Sequence, residues 1–135
     1  MSEIQKILEM IECVPPDDTK TLDEIDARVG VLAGHAPCVA CQAYYNKKKD
    51  PEGGIKHMIE FSYAPKYTRS IDAQKDLQVK GWRMETGQFG DSWVTRLKKK
   101  ASGIVYDVYS PDLLTEPLAR LYAWLKVKEM ETNDD

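Results

Sequence analysis

The residues of this chain with the most specific chemical spacing are His35, Cys38 and Cys41, each three positions from the next in the run HAPCVAC. Imidazole and soft thiolates suit zinc, and His57 or Cys13 could complete a tetrahedral set. Closed zinc sites usually carry two tight ligand pairs, however, and the second pair is missing. The three cysteines are therefore read as ordinary, partly buried thiols, with no metal and no cofactor expected. A cysteine nucleophile would need a histidine beside it, and neither His35 nor His57 stands in a recognisable nucleophile motif. Asp72, Asp91 and Asp107 have acid–base chemistry in principle, but helix capping, a turn and a solvent-facing strand position account for them. No catalytic residue is assigned, and the chain is read as a non-enzyme.

The strongest basic clusters are Lys47 to Lys49 and Lys98 to Lys100, with Tyr44, Tyr45, Trp93 and Tyr109 near them in sequence as stacking surfaces for a nucleic acid. Against that, 19 Lys+Arg face 22 Asp+Glu, a formal net charge of -3. A phosphate backbone demands the opposite balance, and lysines also guard sheet edges and solvate loops. Nucleic acid is thus not the expected partner. Nor is a nucleotide, because Gly53-Gly54 alone is a turn and not a phosphate-binding loop.

These residues sit on 135 positions, the usual size of one compact domain, so a single domain over 1–135 is expected. No apolar run approaches the roughly 18 residues of a membrane span, and the start lacks a basic stretch leading into an apolar one. The cytoplasm is the expected compartment, where an odd number of cysteines stays reduced.

Along the chain, Ile4, Ile7, Leu8 and Ile11 recur at helical spacing behind a Ser2/Gln5 capping box, and Pro15-Pro16 ends that helix. A second box, Thr21 with Glu24, opens a helix with Leu22, Ile25, Val29 and Leu32 on one stripe and Gly34 at its end. The run from His35 is compatible with a short strand, and NKKKDPEGG reads as an exposed loop. Ile55, His57, Ile59, Phe61 and Tyr63 then alternate as a strand closed by Pro65. From Gly81 the period is two: Trp82 and Met84, then Trp93, Thr95 and Leu97, then Ile104, Tyr106 and Val108 share faces, with turns at Gly87 to Asp91 and Lys99 to Gly103. Short turns make this an antiparallel meander. Leu114, Leu118, Leu121, Tyr122 and Leu125 form the apolar stripe of a covering helix, capped by Thr115 with Pro117 in its first turn. The expected fold is α+β, an antiparallel meander of about three to five strands sandwiched between helices, the last helix being the longest.

Between these parts lies YAPKYTRSIDAQKDLQVKGW. Ser70 is placed to cap a short helix reaching about Leu77, Asp72 suits its N-terminal dipole, and Gly81 ends it so that Trp82 enters the first strand with its ring in the core. Ile71 and Leu77 are expected to point to the sheet. The set Tyr67-Thr68, Ser70-Ile71-Asp72-Ala73 and Gly81-Trp82, followed by a meander and a proline-containing final helix, resembles the phage ABA sandwich domain family over about residues 63 to 130. Where members commonly show a second alanine and a proline before Gly-Trp, this chain has Gln74 and Val79-Lys80. Residues 35 to 56 resemble nothing in that family and read as an insertion. The resemblance implies a sheet between helical layers, a bacteriophage or prophage origin and hence a bacterial host cytoplasm, with no established activity. The expected role is that of a small accessory protein that binds another macromolecule, such as a host protein. The alternatives are a structural, oligomeric phage component, or a zinc-containing or nucleic-acid-binding module.

Overall fold

The computed structural model describes residues 2–35, 40, 51–61, 63–77 and 79–133. Helix α1 spans Glu3–Cys13, and the Ser2 hydroxyl accepts the Gln5 amide hydrogen at 3.2 Å, one half of the expected capping box. Its Ile7, Leu8 and Ile11 are buried. Helix α2, Thr19–Leu32, begins a few residues earlier than the Thr21/Glu24 box implies. Asp18 is the cap: its carboxylate accepts both the Thr21 amide, at 3.2 Å, and the Thr21 hydroxyl, at 2.7 Å. A carboxylate holds two donors at once and favours the positive helix end, so it displaces threonine from that role. Leu22, Ile25 and Val29 are buried as the stripe requires, Leu32 is exposed, and Gly34 takes a positive φ of 77° after the last turn.

The largest departure concerns residues 51 to 63, expected as the end of a loop and a strand. Pro51–Phe61 is a helix, α3. Ile55 and Met58 are buried and Ile59 is partly so, the i, i+3, i+4 spacing of a helical stripe, and they pack against Ala27 and Val31 of α2. Pro51 occupies the first helical position, where its missing N–H costs nothing. The two helices approach closely at Gly30, where an added Cβ would stand 3.4 Å from the Met58 sulfur. Of the run after His35 that is compatible with a short strand, only Ala40 is among the described residues up to 45, and it is helical.

Ser70 accepts the Ala73 amide at 3.3 Å as expected, but it stands one residue before the N-cap, Ile71, and the helix is a single 3-10 segment, Asp72–Asp76. Leu77 is buried, whereas Ile71 is exposed. Gly81, at φ 87°, then turns the chain into the meander. Strands β1 (Arg83–Phe89), β2 (Ser92–Ala101) and β3 (Ile104–Tyr109) pair antiparallel in that order. Two-residue turns join them. At the second, Ser102 and Gly103 both have positive φ, 53° and 79°, the mirror-image turn whose twist matches that of paired strands. Trp82 is only half-buried, so its ring lies at the rim of the core, with the Lys99 ammonium 5.9 Å from its centre.

Helix α4, Glu116–Asn133, is the longest, and the Thr115 hydroxyl accepts the Leu118 amide at 3.3 Å. Leu114 is exposed; Leu113 is buried in its stead and exchanges two backbone hydrogen bonds with Trp93. From Leu118 to Val127 only Arg120 and Lys126 escape full burial, more than a single stripe can hide. The reason is that α4 is covered on two sides. Ala123 and Val127 pack on Leu97 and Val108 of the sheet, while Leu118, Leu121 and Leu125 join the core with α1 and α2. The α+β class, the antiparallel meander and the long C-terminal helix stand as expected. The layering among the described residues runs sheet, α4, then α1 and α2, so the helices lie to one side of the sheet. Among these residues no helix is long and apolar enough to cross a membrane.

Candidate functional site

The residues expected to carry chemistry scatter. Cys38, Cys41, Tyr44, Tyr45 and Lys47 to Lys49 lie outside the described residues. Cys13 is exposed at the end of α1. His35 and His57 both reach Tyr63, the first with Nε2 3.4 Å from the Tyr63 carbonyl oxygen, the second with its ring 5.5 Å from the tyrosine ring. Among the described residues, no three histidine, cysteine, aspartate or glutamate side chains converge as metal ligands. Asp72 is exposed in the first turn of the 3-10 helix, Asp91 sits in the β1–β2 turn, and Asp107 is on β3.

Two ionic networks have no signature in the sequence. Arg28, buried on α2, is held by Glu3 at 2.8 Å and Glu52 at 3.1 Å, with Glu24 at 3.6 Å, tying α1, α2 and α3 together. Asp26, only 1% exposed, accepts the Thr68 amide at 2.8 Å and Arg69 Nη2 at 2.7 Å, and Arg69 also reaches Asp23. Burial raises the Asp26 carboxyl above its ordinary value despite Arg69 and the Thr68 amide. Asp23 sits lower than usual: its partial burial acts in the opposite direction and is outweighed by Arg69 and Lys66. Gln74 adds two bonds from its amide nitrogen, to the carbonyls of Tyr67 at 2.7 Å and Pro117 at 2.8 Å. The segment from Tyr63 to Trp82 is thus clamped to α2 on one side and to the start of α4 on the other, and these polar groups are used in holding it. An isolated aspartate in a helical stripe gives no sequence signal of such a partner 42 residues away.

The surface with chemistry to spare is the sheet face turned away from α4. Strand alternation puts Arg83, Glu85 and Phe89 of β1, Val94, Arg96, Lys98 and Lys100 of β2, and Val105, Asp107 and Tyr109 of β3 on it. Arg96 organises its middle, bonding Asp107 through Nε at 2.8 Å and Nη2 at 2.7 Å, lying 3.9 Å from Glu85 and 5.5 Å from the centre of the Tyr109 ring. Its guanidinium is held above the usual range chiefly by the Asp107 bond. Four cations thus meet two carboxylates, and Lys98 and Lys100, roughly 7 Å apart on the central strand, have no ion pair among the described residues. Val105, across from Lys100, is 48% exposed and Tyr109, across from Arg96, 54%, while Phe89, 68% exposed, lies at the far end of the face across from Ser92. Of the expected Lys98 to Lys100 cluster, the structure places Lys98, Lys100 and Tyr109 here and turns Lys99 and Trp93 to the helix side. The arrangement offers attachment points for negative charge beside exposed rings.

No family model, no curated protein and no solved structure matches this chain.

Proposed function

We propose that this chain is a small, non-catalytic accessory protein, phage- or prophage-derived, that binds a host protein presenting an acidic surface, and that the open sheet face is where it docks. The observation carrying this reading is the face itself: Lys98 and Lys100, without ion pairs among the described residues, stand beside exposed Val105 and Tyr109, a locally positive and partly apolar surface on a chain of net charge -3. Exposed aromatic groups beside complementary charge are the usual anchors of a protein interface. The clamped roles of Asp23, Asp26 and Arg28 support binding over catalysis, since their charges are committed to joining elements. The phage origin, and with it a bacterial cytoplasm, rests on the Tyr67-Thr68, Ser70 to Ala73 and Gly81-Trp82 resemblance.

A second reading, single-stranded nucleic acid, is favoured by the Lys98–Lys100 spacing beside the Tyr109 ring. Capture from infected or lysogenic bacteria with the wild-type chain and with the double variant Lys98→Glu, Lys100→Glu tests the first. A reproducible acidic protein retained only by the wild type supports it, and an identical catch with both chains overturns it. Labelled oligonucleotides in a salt series test the second: binding that weakens steeply with salt and vanishes in the double variant would replace the protein partner by a nucleic acid.

A further inference from the structure

The two edges of the sheet are differently protected. Strand β1 carries Arg83 and Glu85 along its open side, charges that discourage another strand from pairing. Strand β3, Ile104–Tyr109, has no lysine, arginine or proline. Its Ile104 and Tyr106 are 54% and 38% exposed on the helix side, and Val105 and Tyr109 are exposed on the other, so it is apolar on both of its faces near the turn. The tight Ser102-Gly103 turn makes Ala101 and Ile104 a hydrogen-bonded pair, and antiparallel alternation then directs the amides of Ile104, Tyr106 and Val108 to β2 and those of Val105, Asp107 and Tyr109 outward. That outward row is a template for one more strand.

From this we infer that β3 pairs antiparallel with β3 of a second copy of the chain, about a two-fold axis at Tyr106, joining two three-stranded sheets into one of six. The occupant must be apolar on the helix side, where β3 itself offers Ile104, Tyr106 and Val108. Hydrogen-bonding parity and charge choose the register. An axis at Asp107 would set this carboxylate against the same residue of the partner subunit, a destabilising arrangement. An axis at Tyr106 sets Val105 against Asp107 of the partner subunit and Tyr106 against Tyr106 of the partner subunit, with Ile104 against Val108 of the partner subunit. About four backbone hydrogen bonds form, and each Asp107 stays on its own Arg96. The pairing is isologous, so it consumes both exposed edges and closes at two copies. So short an overlap buries less than the ~1,200 Å² at the lower end of stable interfaces, which makes the equilibrium concentration-dependent. The edge pairing is independent of the docking face, although it would double that face.

Sedimentation over rising concentration should take the mass from 15.4 kDa toward twice that value. Val105→Pro, which removes an outward amide and no bond to β2, should hold the chain monomeric across the same range with an unchanged circular dichroism spectrum; Val105→Asp, which sets a carboxylate directly against Asp107 of the partner subunit, should do the same and serves if the proline variant misfolds. Gln88→Pro, the equivalent change on the β1 edge, should dimerise like the wild type. Hydrogen exchange at Val105 and Asp107 should slow only where the mass rises. A wild type that stays monomeric throughout, a dimer that survives both Val105 changes, or outward amides already protected in the monomer would each overturn the inference. The double variant Lys98→Glu, Lys100→Glu should keep the dimer, so loss of the docking face and loss of the edge pairing are separately visible.

Discussion

The two faces of the sheet are made from alternate residues of the same three strands and meet opposite fates. On the helix side, Thr95 is fully buried with its hydroxyl 3.1 Å from that of Thr86 and its amide bonded to the Ser110 hydroxyl, while Leu97 and Val108 lie against Ala123 and Val127. On the far side, Glu85, Arg96 and Asp107 satisfy one another in solvent. The helix side is constrained by volume and by every polar atom it hides; the far side is constrained only by the pleat, which leaves its composition free for recognition.

The widest gap should come from Leu97→Ala, which empties a fully buried site on the helix side and is expected to cost about 3 to 4 kcal/mol in urea unfolding. A second comparison sets Arg69–Asp26 against Arg96–Asp107. Asp26→Ala should cost about 3 kcal/mol, because it strands the buried Thr68 amide and half of the Arg69 pairing. Removing Asp107 should leave the melting temperature nearly unchanged. Asp26→Asn refines the first result. A raised carboxyl stabilises the fold most when protonated, so the wild type should lose stability relative to Asp26→Asn as pH climbs through the ordinary carboxylate value of 3.8, levelling off above the raised one. A difference growing in the other direction would show that Arg69, not burial, governs that group.

Trp82→Ala comes next, at about 2 kcal/mol, less than a fully buried indole would cost, because Trp82 lies at the rim. Ser70→Ala should cost about 1 kcal/mol through its single capping bond. Smallest is the double variant Lys98→Glu, Lys100→Glu, with no measurable change in melting. If that change destabilised the chain as Leu97→Ala does, the far face would not be open and the contrast between the two faces would collapse.

The first helix, the meander and the last helix are legible in the sequence because each carries its own period and its own cap. Residues 55 to 63 are not, since Ile55, Ile59 and Phe61 satisfy a two-residue alternation while Ile55, Met58 and Ile59 satisfy a helical one; Met58, out of phase with the strand, carries the deciding signal. For α4, the stripe through Leu118 and Leu121 is legible, but Ala119, Ala123 and Val127 at four-residue steps read as filler until a second layer is known to lean on them. The open face is readable only in part. The Lys98 to Lys100 run is visible as a cluster with Tyr109 near it, but only the register divides it between two sides of a strand and brings Arg83 to it.

The middle position of α4 also bears on how the chain is made. Synthesis runs from the N-terminus, so helices and strands emerge before the element that both of them need as a wall. Until residues 116 to 133 are available, Leu97 and Ile11 face water from opposite sides of a missing partition, and the Tyr122 hydroxyl that will bond Glu12, 110 residues earlier, does not yet exist. Consolidation should therefore come late and all at once, and a nascent chain stalled before Glu116 should remain soft to proteolysis.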